Sequence, residues 1–211
     1  MTMKRAQCLD LVPKQIKGTS IDVTEERKLS TLTQANDFFE VAKHRLLAVN
    51  EWNKISRFTK FSLVDKDGNL IDGLAKIGDL IRIDIPGPGL VRGKGFDWVE
   101  IECISHVIHD NGETASMTVR PSQCPLTKIK AVSHFLTANA TATFIVKKIG
   151  LTLIAEQHGR NENPNLAEGQ LLDRGRNLVV SIFAKLGVSY PQWKSLIHGL
   201  LYGCDEDLLP E

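Results

Sequence analysis

The 211-residue sequence lacks several features that would assign it to a specialised class of protein. It has no apolar run near the roughly 18 residues that suggest a membrane-spanning helix, so no membrane contact is expected. Its basic start, MTMKRAQCLDLVPK, is not followed by an apolar stretch, so no signal peptide is expected either. The formal net charge is only +1 at pH 7, without the basic excess that dedicated nucleic-acid binders usually carry.

Motifs for zinc, redox chemistry and nucleophilic catalysis are also missing. The four scattered cysteines form no Cys-x-x-Cys pair, so we expect free thiols in a reducing cytoplasm, with Cys103 buried as a small apolar side chain. The six histidines never form an HxxxH or HExxH pair, and no G-x-S-x-G elbow marks a catalytic serine. No metal and no cofactor are therefore expected.

What the sequence does have is the periodicity of an α+β protein. Residues 1–30 are polar and are expected to be irregular, with at most one short strand. Residues 31–56 place apolar side chains at spacings of three and four, which predicts one long helix capped by Thr31 or Thr33. Residues 57–158 then alternate with a period of two between short turns, which predicts an antiparallel meander.

Turn signals and a second helical region complete this single predicted domain, residues 1–211. The stretch KFSLVDKDGNLIDG predicts a hairpin around its Asp-Gly pair, because that pair favours tight turns. Residues 166–203 predict a C-terminal helical hairpin, and residues 204–211 an acidic tail.

The order of these elements resembles the helix-grip arrangement of small-ligand-binding proteins. A short strand is followed by a helix, a curved antiparallel sheet and a long closing helix. The resemblance covers roughly Ile21 to Leu186 and consists of element order alone, without a diagnostic motif. It implies a curved meander sheet covered by a long N-terminal helix and C-terminal helices. A compact β-barrel with peripheral helices is the alternative architecture.

A glycine-rich stretch, PGPGLVRGKG at residues 86–95, suggests a phosphate site. Its spacing departs from the P-loop pattern, and no helix is predicted after it, so a dinucleotide motif fails as well. A hairpin loop whose glycines adopt positive φ is the simpler interpretation. If phosphate does bind here, Arg92 and Lys94 are the expected contacts.

The stretch LGVSYPQWKSLIHG resembles the turn and second helix of repressor-type helix-turn-helix modules. Ser189 fits the helix cap, and Trp193 and Leu196 fit the buried anchors. Phe183 departs from the pattern, which usually has a small residue there, and an ordinary helical hairpin is the alternative. The predicted outward positions, which offer little positive charge for phosphates, are Tyr190, Gln192, Lys194, Ser195 and His198.

The polar stretch EQHGRNENPN follows the last predicted strand. Its asparagines suit a connector and a helix cap, which leaves His158, Arg160 and Glu162 without an assigned role. We expect these three to line a site between the sheet and the covering helices, together with Glu100 and Trp98 from an earlier strand.

Three functions are compatible with this site. The first is binding of a small molecule or another interaction role without catalysis. The second is an acid/base enzyme, a hydrolase or lyase, that uses the same polar cluster. The third is a DNA-associated regulator acting through Ser189–Gly199, although the charge makes a nucleic-acid partner unexpected. The sequence gives neither the ligand nor the oligomeric state.

Overall fold

A computed structural model describes residues 10–56, 59–85, 93–165 and 191–203. It contains one seven-stranded antiparallel sheet with strand order β1-β7-β6-β5-β4-β3-β2, which confirms the predicted α+β class. The strands are β1 Thr19–Lys28, β2 Lys60–Val64, β3 Leu80–Asp84, β4 Asp97–His109, β5 Gly112–Pro121, β6 Thr141–Ile149 and β7 Thr152–Glu162. The helical elements are α1 Leu32–Leu47, a 3₁₀ turn Val49–Glu51, α2 Trp52–Ile55 and residues 191–202, termed the C-terminal helix below.

The main core lies between one face of the sheet, termed the inner face, and the helices. Phe39 of α1, Trp52 of α2 and Leu200 of the C-terminal helix are all buried in it. The Trp52 ring contacts the rings of Phe61 and Phe144, each at 5.2 Å between centroids. The described elements therefore follow the predicted helix-grip order, with helices packed on one face of an antiparallel sheet.

The N-terminal region corrects the prediction of an irregular segment over residues 1–30. Thr19–Lys28 is a ten-residue strand that pairs with β7 along its length. It is an edge strand, and only Val23 is fully buried, with Ile21 packed at the border of the core. The alternation is hard to detect because polar side chains occupy most of the remaining positions.

The predicted helix over residues 31–56 begins as expected but does not run unbroken. Thr31 caps α1, its side chain accepting a hydrogen bond from the Gln34 N–H, yet the helix ends at Leu47. After the break, Asn50 and Asn53 hydrogen-bond the backbone of β2: their side-chain oxygens accept the N–H groups of Leu63 and Phe61, respectively. These bonds satisfy backbone N–H groups of β2, the strand at one edge of the sheet. The helical periodicity of the sequence does not predict them.

The meander is confirmed, but its first hairpin differs from the prediction. The turn forms at the Asp-Gly pair, with Gly68 at φ 87° and the Asp65 carboxylate accepting the N–H groups of Asp67 and Asn69. The residues after the turn make only an isolated bridge, Val64 to Leu70, and the strand that pairs with β2 is β3.

The boundary between the meander and the C-terminal region differs from the prediction. The meander does not stop at residue 158, because β7 runs to Glu162 and takes in most of the stretch predicted as a connector. Residues 166–190, which include the first helix of the predicted hairpin and Ser189, lie outside the described residues, as does the tail 204–211. Among the described residues, no helix is both long and apolar enough to cross a membrane.

The cysteines also correct one expectation. Cys103 is disulfide-bonded and only partly buried, so it is neither a free thiol nor a core side chain. Cys124, the other cysteine within the described ranges, is a buried free thiol.

Candidate functional site

The candidate site is positioned by strand β7, whose side chains alternate between the two faces of the sheet. Leu153, Ala155 and Gln157 lie on the inner face and are completely buried. Glu156 and His158 lie on the opposite face, termed the outer face, and are partly exposed. The alternation follows from the period-two geometry of an extended strand.

Asn161 reverses this alternation at the end of the strand. Its φ of 56° is in the left-handed region, a conformation that inserts a bulge into a strand and that Asn tolerates better than most residues. The Asn161 side chain holds the N-terminal segment: Oδ1 accepts the N–H groups of Ile16 (2.7 Å) and Lys17 (3.1 Å), and Nδ2 donates to Lys14 O (3.0 Å). As a consequence, Glu162 points to the inner face instead of the outer one.

Gly159 provides the space for the Glu162 carboxylate. A Cβ at position 159 would lie 2.3 Å from Glu162 Oε1 and 3.5 Å from Gln157 Nε2. Any side chain larger than hydrogen would therefore collide with the carboxylate. The glycine thus explains why a buried acid can fold back against its own strand.

Glu162 reaches a cavity of about 40 Å³ between the sheet and the C-terminal helix. The walls are mainly apolar side chains from β3, β4, β5, β6, the loop before β6 and the C-terminal helix. The polar residues at the cavity are His134, Thr141, Glu162 and Gln192. The apolar ones are Ile83, Ile85, Val99, Val119, Pro121, Phe135, Leu136, Ala140, Ala142 and Trp193.

The Glu162 carboxyl is poorly solvated in this position. Its residue is only 6% exposed, and Oε2 is buried without a hydrogen-bond partner. Burial raises the pKa of Glu162 to about 7, and the Arg160 guanidinium lowers it only in part. At neutral pH the protonated and ionised forms of Glu162 are therefore both populated.

Gln157 is a second unsatisfied polar group on the inner face. It is completely buried, and neither Nε2 nor Oε1 has a hydrogen-bond partner. His134, by contrast, has a partner: its Nδ1 accepts the Leu136 N–H at 3.0 Å. Of the unpartnered polar atoms found in the described residues, Glu162 Oε2 and Thr141 Oγ1 belong to residues that line the cavity, whereas Gln157 is not one of the lining residues.

His158 and Arg160 lie on the other side of the sheet from Glu162. His158 Nε2 is 2.9 Å from Glu156 Oε2, and its Nδ1 is 2.5 Å from Asp22 Oδ1. Arg160 Nη1 is 2.7 Å from the same Asp22 oxygen. The hydrogen bond to Glu156, supported by the one to Asp22, raises the pKa of His158. These residues form an ion-pair ladder that joins β1 to β7.

Trp98 and Glu100 also lie away from the cavity. Trp98 is completely buried in a small separate cluster with Val64, Leu80 and Cys124, and its indole N–H donates to Gly93 O at 3.0 Å. Glu100 is exposed beside it on β4. Of the five side chains predicted to form one site, the structure brings only Glu162 to the space between sheet and helices.

The structure adds little support for the other two predicted sites, which are the phosphate site and the DNA-reading helix. Lys94 is exposed in a turn with φ 53°, and Arg92 lies outside the described residues, so the phosphate site stays a prediction. Within the C-terminal helix, Gln192 is buried at the cavity and Ser195 donates to Ile55 O at 3.3 Å. Two of the positions that a DNA-reading helix would turn outward therefore face the protein. The described residues include no group of three or more potential metal ligands.

Sequence reasoning missed Gln157 and His134, and it predicted an outward position for Gln192, which is buried at the cavity. A signal for Gln157 exists, because it alternates with Leu153 and Ala155 and is the first polar side chain on their face. No local pattern marks His134, which lies in the loop before β6 and meets β7 only in the folded chain.

No protein-family model matches the chain, and no curated protein matches it in sequence. Several solved structures are similar at low identity. A hypothetical protein from Helicobacter pylori is 12% identical with a TM-score of 0.46, covering 93% of this chain and 97% of that one. The di-domain ARO/CYC StfQ from the steffimycin biosynthetic pathway is 11% identical with a TM-score of 0.41, covering 89% of this chain and 51% of that one.

Norcoclaurine synthase from Thalictrum flavum is 12% identical with a TM-score of 0.34, covering 87% of this chain and 99% of that one. At these scores the similarities assign neither a family nor an activity to the chain.

Proposed function

We propose that the protein binds a small, mainly apolar molecule in the cavity beside Glu162. The observation that carries the proposal is the buried Glu162 Oε2, which has no hydrogen-bond partner at a mainly apolar cavity. A buried polar atom without a partner costs about 1–3 kcal/mol, so folded proteins rarely retain one without a reason. A bound ligand that supplies the missing hydrogen bond is such a reason.

The size of the cavity limits the ligand. A volume of about 40 Å³ holds a few water molecules. Pockets for drug-sized ligands measure roughly 300–1,000 Å³. The ligand is therefore a compact molecule of few atoms, and a ring-sized ligand requires the wall at Trp193 or Phe135 to move outward.

Titration of the ¹⁵N-labelled protein with acetone, a compact and mainly apolar molecule, tests this proposal by NMR. We expect shifts of amides around the cavity, such as Val99 and Ala142, with millimolar affinity. Ala140→Leu fills the cavity, and we expect it to weaken binding at least tenfold. Ala138→Leu is the matched control, because Ala138 is exposed in the same loop. Equal binding by both variants, or shifts confined to other surfaces, would count against the cavity.

A second function, acid/base catalysis, is favoured by the raised pKa of Glu162. A carboxyl that titrates at about 7 can exchange protons efficiently at neutral pH. The probe is acetone in D₂O, whose carbon-bound protons are replaced by deuterium when a base removes them. Catalysis predicts a rate that rises with pH through about 7 and is lost in Glu162→Gln. If the wild-type rate equals the Glu162→Gln rate at every pH, Glu162 is not a catalytic base, and binding is the only proposal that remains.

A further inference from the structure

A second concave region, termed the outer cleft, has a volume of about 440 Å³ and lies where the N-terminal segment meets the sheet. Its walls include Lys14 and Lys17 from that segment, Arg120 from β5 and Thr141 from β6. The side chains of Arg120 and Thr141 belong to the outer face, because the residue next to each in its strand packs in the core. The outer cleft is therefore distinct from the cavity beside Glu162, which lies on the inner face.

The two lysines of the outer cleft belong to a segment whose backbone is bonded to β7. The Asn161 side chain binds the Lys17 N–H and the Lys14 carbonyl oxygen. The Gln15 side chain adds two bonds: its Oε1 accepts the Asn161 N–H at 2.8 Å, and its Nε2 donates to Gly18 O at 2.9 Å. Both lysines are thus placed beside the cleft before any ligand binds, which lowers the entropy that binding costs.

The positive charge of the outer cleft is only partly compensated. Arg120 Nε donates to Glu102 Oε1 at 2.5 Å, and Nη1 donates to two backbone carbonyl groups, which leaves Nη2 for a ligand. Glu100 lies opposite Arg120 on β4, but neither acid is among the walls of the cleft. Lys14 and Lys17 form no ion pair within the part of the chain that the structure describes. Two positive charges of the cleft therefore have no counter-charge there.

The Thr141 hydroxyl is a further donor at the outer cleft. Thr141 is only 3% exposed, and its Oγ1 has no hydrogen-bond partner among the described residues. Thr141 contributes to the walls of both the cleft and the inner cavity. Its side chain belongs to the cleft side, because it lies opposite Arg160 in the pairing of β6 with β7, and directly opposed residues share a face. A buried hydroxyl without a partner is uncommon, and an acceptor oxygen of a ligand would satisfy it.

We propose that the outer cleft binds a phosphate monoester. Such a group carries about −1.5 to −2 charges at pH 7 and three acceptor oxygens, which matches two uncompensated lysines better than a singly charged carboxylate does. Arg120 and Thr141 supply N–H and O–H donors for the same oxygens. The volume lies within the roughly 300–1,000 Å³ of small-molecule sites, so it also holds the organic part of the ester. Ile16, an apolar wall residue that is 86% exposed, offers a contact for that part.

Three compounds with the same ring separate the possible head groups: phenyl phosphate, benzoate and phenol. Their dissociation constants are measured by NMR titration at pH 7.5 and low salt, followed at the Arg120 Nε–H and at the amides of Asn139 and Asn163, which also line the cleft. We expect phenyl phosphate to bind with millimolar affinity or better and at least tenfold more tightly than benzoate, whereas phenol leaves these signals unchanged. Benzoate binding as tightly as phenyl phosphate would overturn the assignment of a phosphate group.

The same phosphate chemistry occurs in lipid head groups, and vesicles that contain phosphatidic acid distinguish this source. We expect the protein not to sediment with them at the salt concentration at which it binds phenyl phosphate. Sedimentation with the vesicles, together with no response to phenyl phosphate, would overturn the proposal of a small-molecule site in favour of a membrane surface.

A pair of lysine variants tests the assigned charges. The double variant Lys14→Gln, Lys17→Gln should weaken phenyl phosphate at least tenfold. Its matched control is Lys28→Gln, Lys76→Gln, which removes the same charge from exposed lysines that do not line the cleft, and its affinity should stay within about twofold of wild type. Equal losses in the two double variants would show attraction by net charge alone and would overturn the site.

Thr141→Val tests the hydroxyl, because valine keeps the shape of the side chain and removes the donor. We expect phenyl phosphate to bind at least threefold more weakly, with an unchanged Tm or a higher one. Unchanged affinity would overturn the role of Thr141. The outer cleft does not depend on the proposed function: acetone shifts at Val99 in the inner cavity should be the same in wild type and in the Lys14→Gln, Lys17→Gln variant. Loss of acetone binding in that variant would contradict two separate sites.

Discussion

The carboxylate of Glu162 fills the space that a side chain on Gly159 would need. A Cβ at Gly159 would lie 2.3 Å from Glu162 Oε1 and 3.0 Å from its Cδ. The two residues are three positions apart on the same strand. They face the same way only because the left-handed Asn161 lies between them. The placement of the buried acid therefore depends on a glycine and on one unusual backbone angle.

Gly159→Ala should displace the carboxylate. We expect a loss of about 1–3 kcal/mol in the free energy of unfolding, because the new methyl group overpacks a closed site. The measurement is urea denaturation. The same change in a Glu162→Ala background is the control, and there it should be close to neutral, because the colliding carboxylate is gone. A loss of equal size in both backgrounds would show that the collision with Glu162 is not the cause.

Because Glu162 is buried, the free energy of unfolding should fall as the pH rises from about 4.5 to about 7. In this window the unfolded chain ionises Glu162 while the folded protein keeps its proton, because burial raises the folded pKa to about 7. The shift corresponds to roughly 3 kcal/mol in the free energy of unfolding. In Glu162→Gln, this pH-dependent fall in the free energy of unfolding should be absent. Identical pH profiles for wild type and variant would contradict a raised pKa.

Asp22→Asn should lower the pKa of His158 towards its ordinary value. Asp22 accepts from His158 and from Arg160, and loss of its charge leaves Glu156 as the main support for the protonated ring. NMR titration of the His158 ring measures the pKa directly. Because Asp22 is about half exposed, we expect at most about 1 kcal/mol of destabilisation.

Asp72→Asn is a matched control for that experiment, since Asp72 is exposed near the far edge of the sheet. The stabilisation that the His158 ion pairs provide should be fully present below the ordinary histidine pKa. It should be lost as the pH rises through the raised value. An unchanged His158 pKa in Asp22→Asn would mean that Glu156 alone sets it.

The Asn161 side chain should hold the N-terminal segment at Ile16 and Lys17 against β7 through its hydrogen bonds. In Asn161→Gly the positive φ is retained and the side-chain hydrogen bonds are lost. We therefore expect hydrogen exchange at the Ile16 and Lys17 amides to accelerate at least tenfold. Asn161→Ala should lose the same protection and a further 1–2 kcal/mol or so of stability, because alanine disfavours the left-handed region. Unchanged protection in both variants would contradict the clamp.

The sequence predicted the elements whose side-chain pattern is strong. Helix α1 was identifiable from Phe39, Ala42 and Leu46, and the meander from its alternating isoleucines and its turns. β1 was underestimated because an edge strand buries one face only, which leaves Val23 as its one fully buried side chain. The prediction of a second strand directly after the first turn was wrong, because an Asp-Gly turn specifies a reversal of the chain but not which strand pairs with β2.

The candidate site was predicted less well, for a physical reason. Counting by twos along β7 places His158, Arg160 and Glu162 on one face, which is why the three residues were grouped. A single positive φ at Asn161 separates Glu162 from the other two, and side-chain patterns do not report backbone angles. Gln157 could have been found by the same counting, since it interrupts an apolar face.

The pairing of β1 with β7 constrains when the sheet can be completed. Thr19 and Glu162, which are hydrogen-bonded neighbours, are separated by 143 positions in the chain. At a synthesis rate of roughly 5–20 residues per second, the synthesis of β7 follows that of β1 by on the order of ten seconds. During that time the apolar side of β1 and the inner face of the growing sheet are incompletely covered. The nascent protein thus passes through a stage at which chaperones or other unfinished chains can bind it.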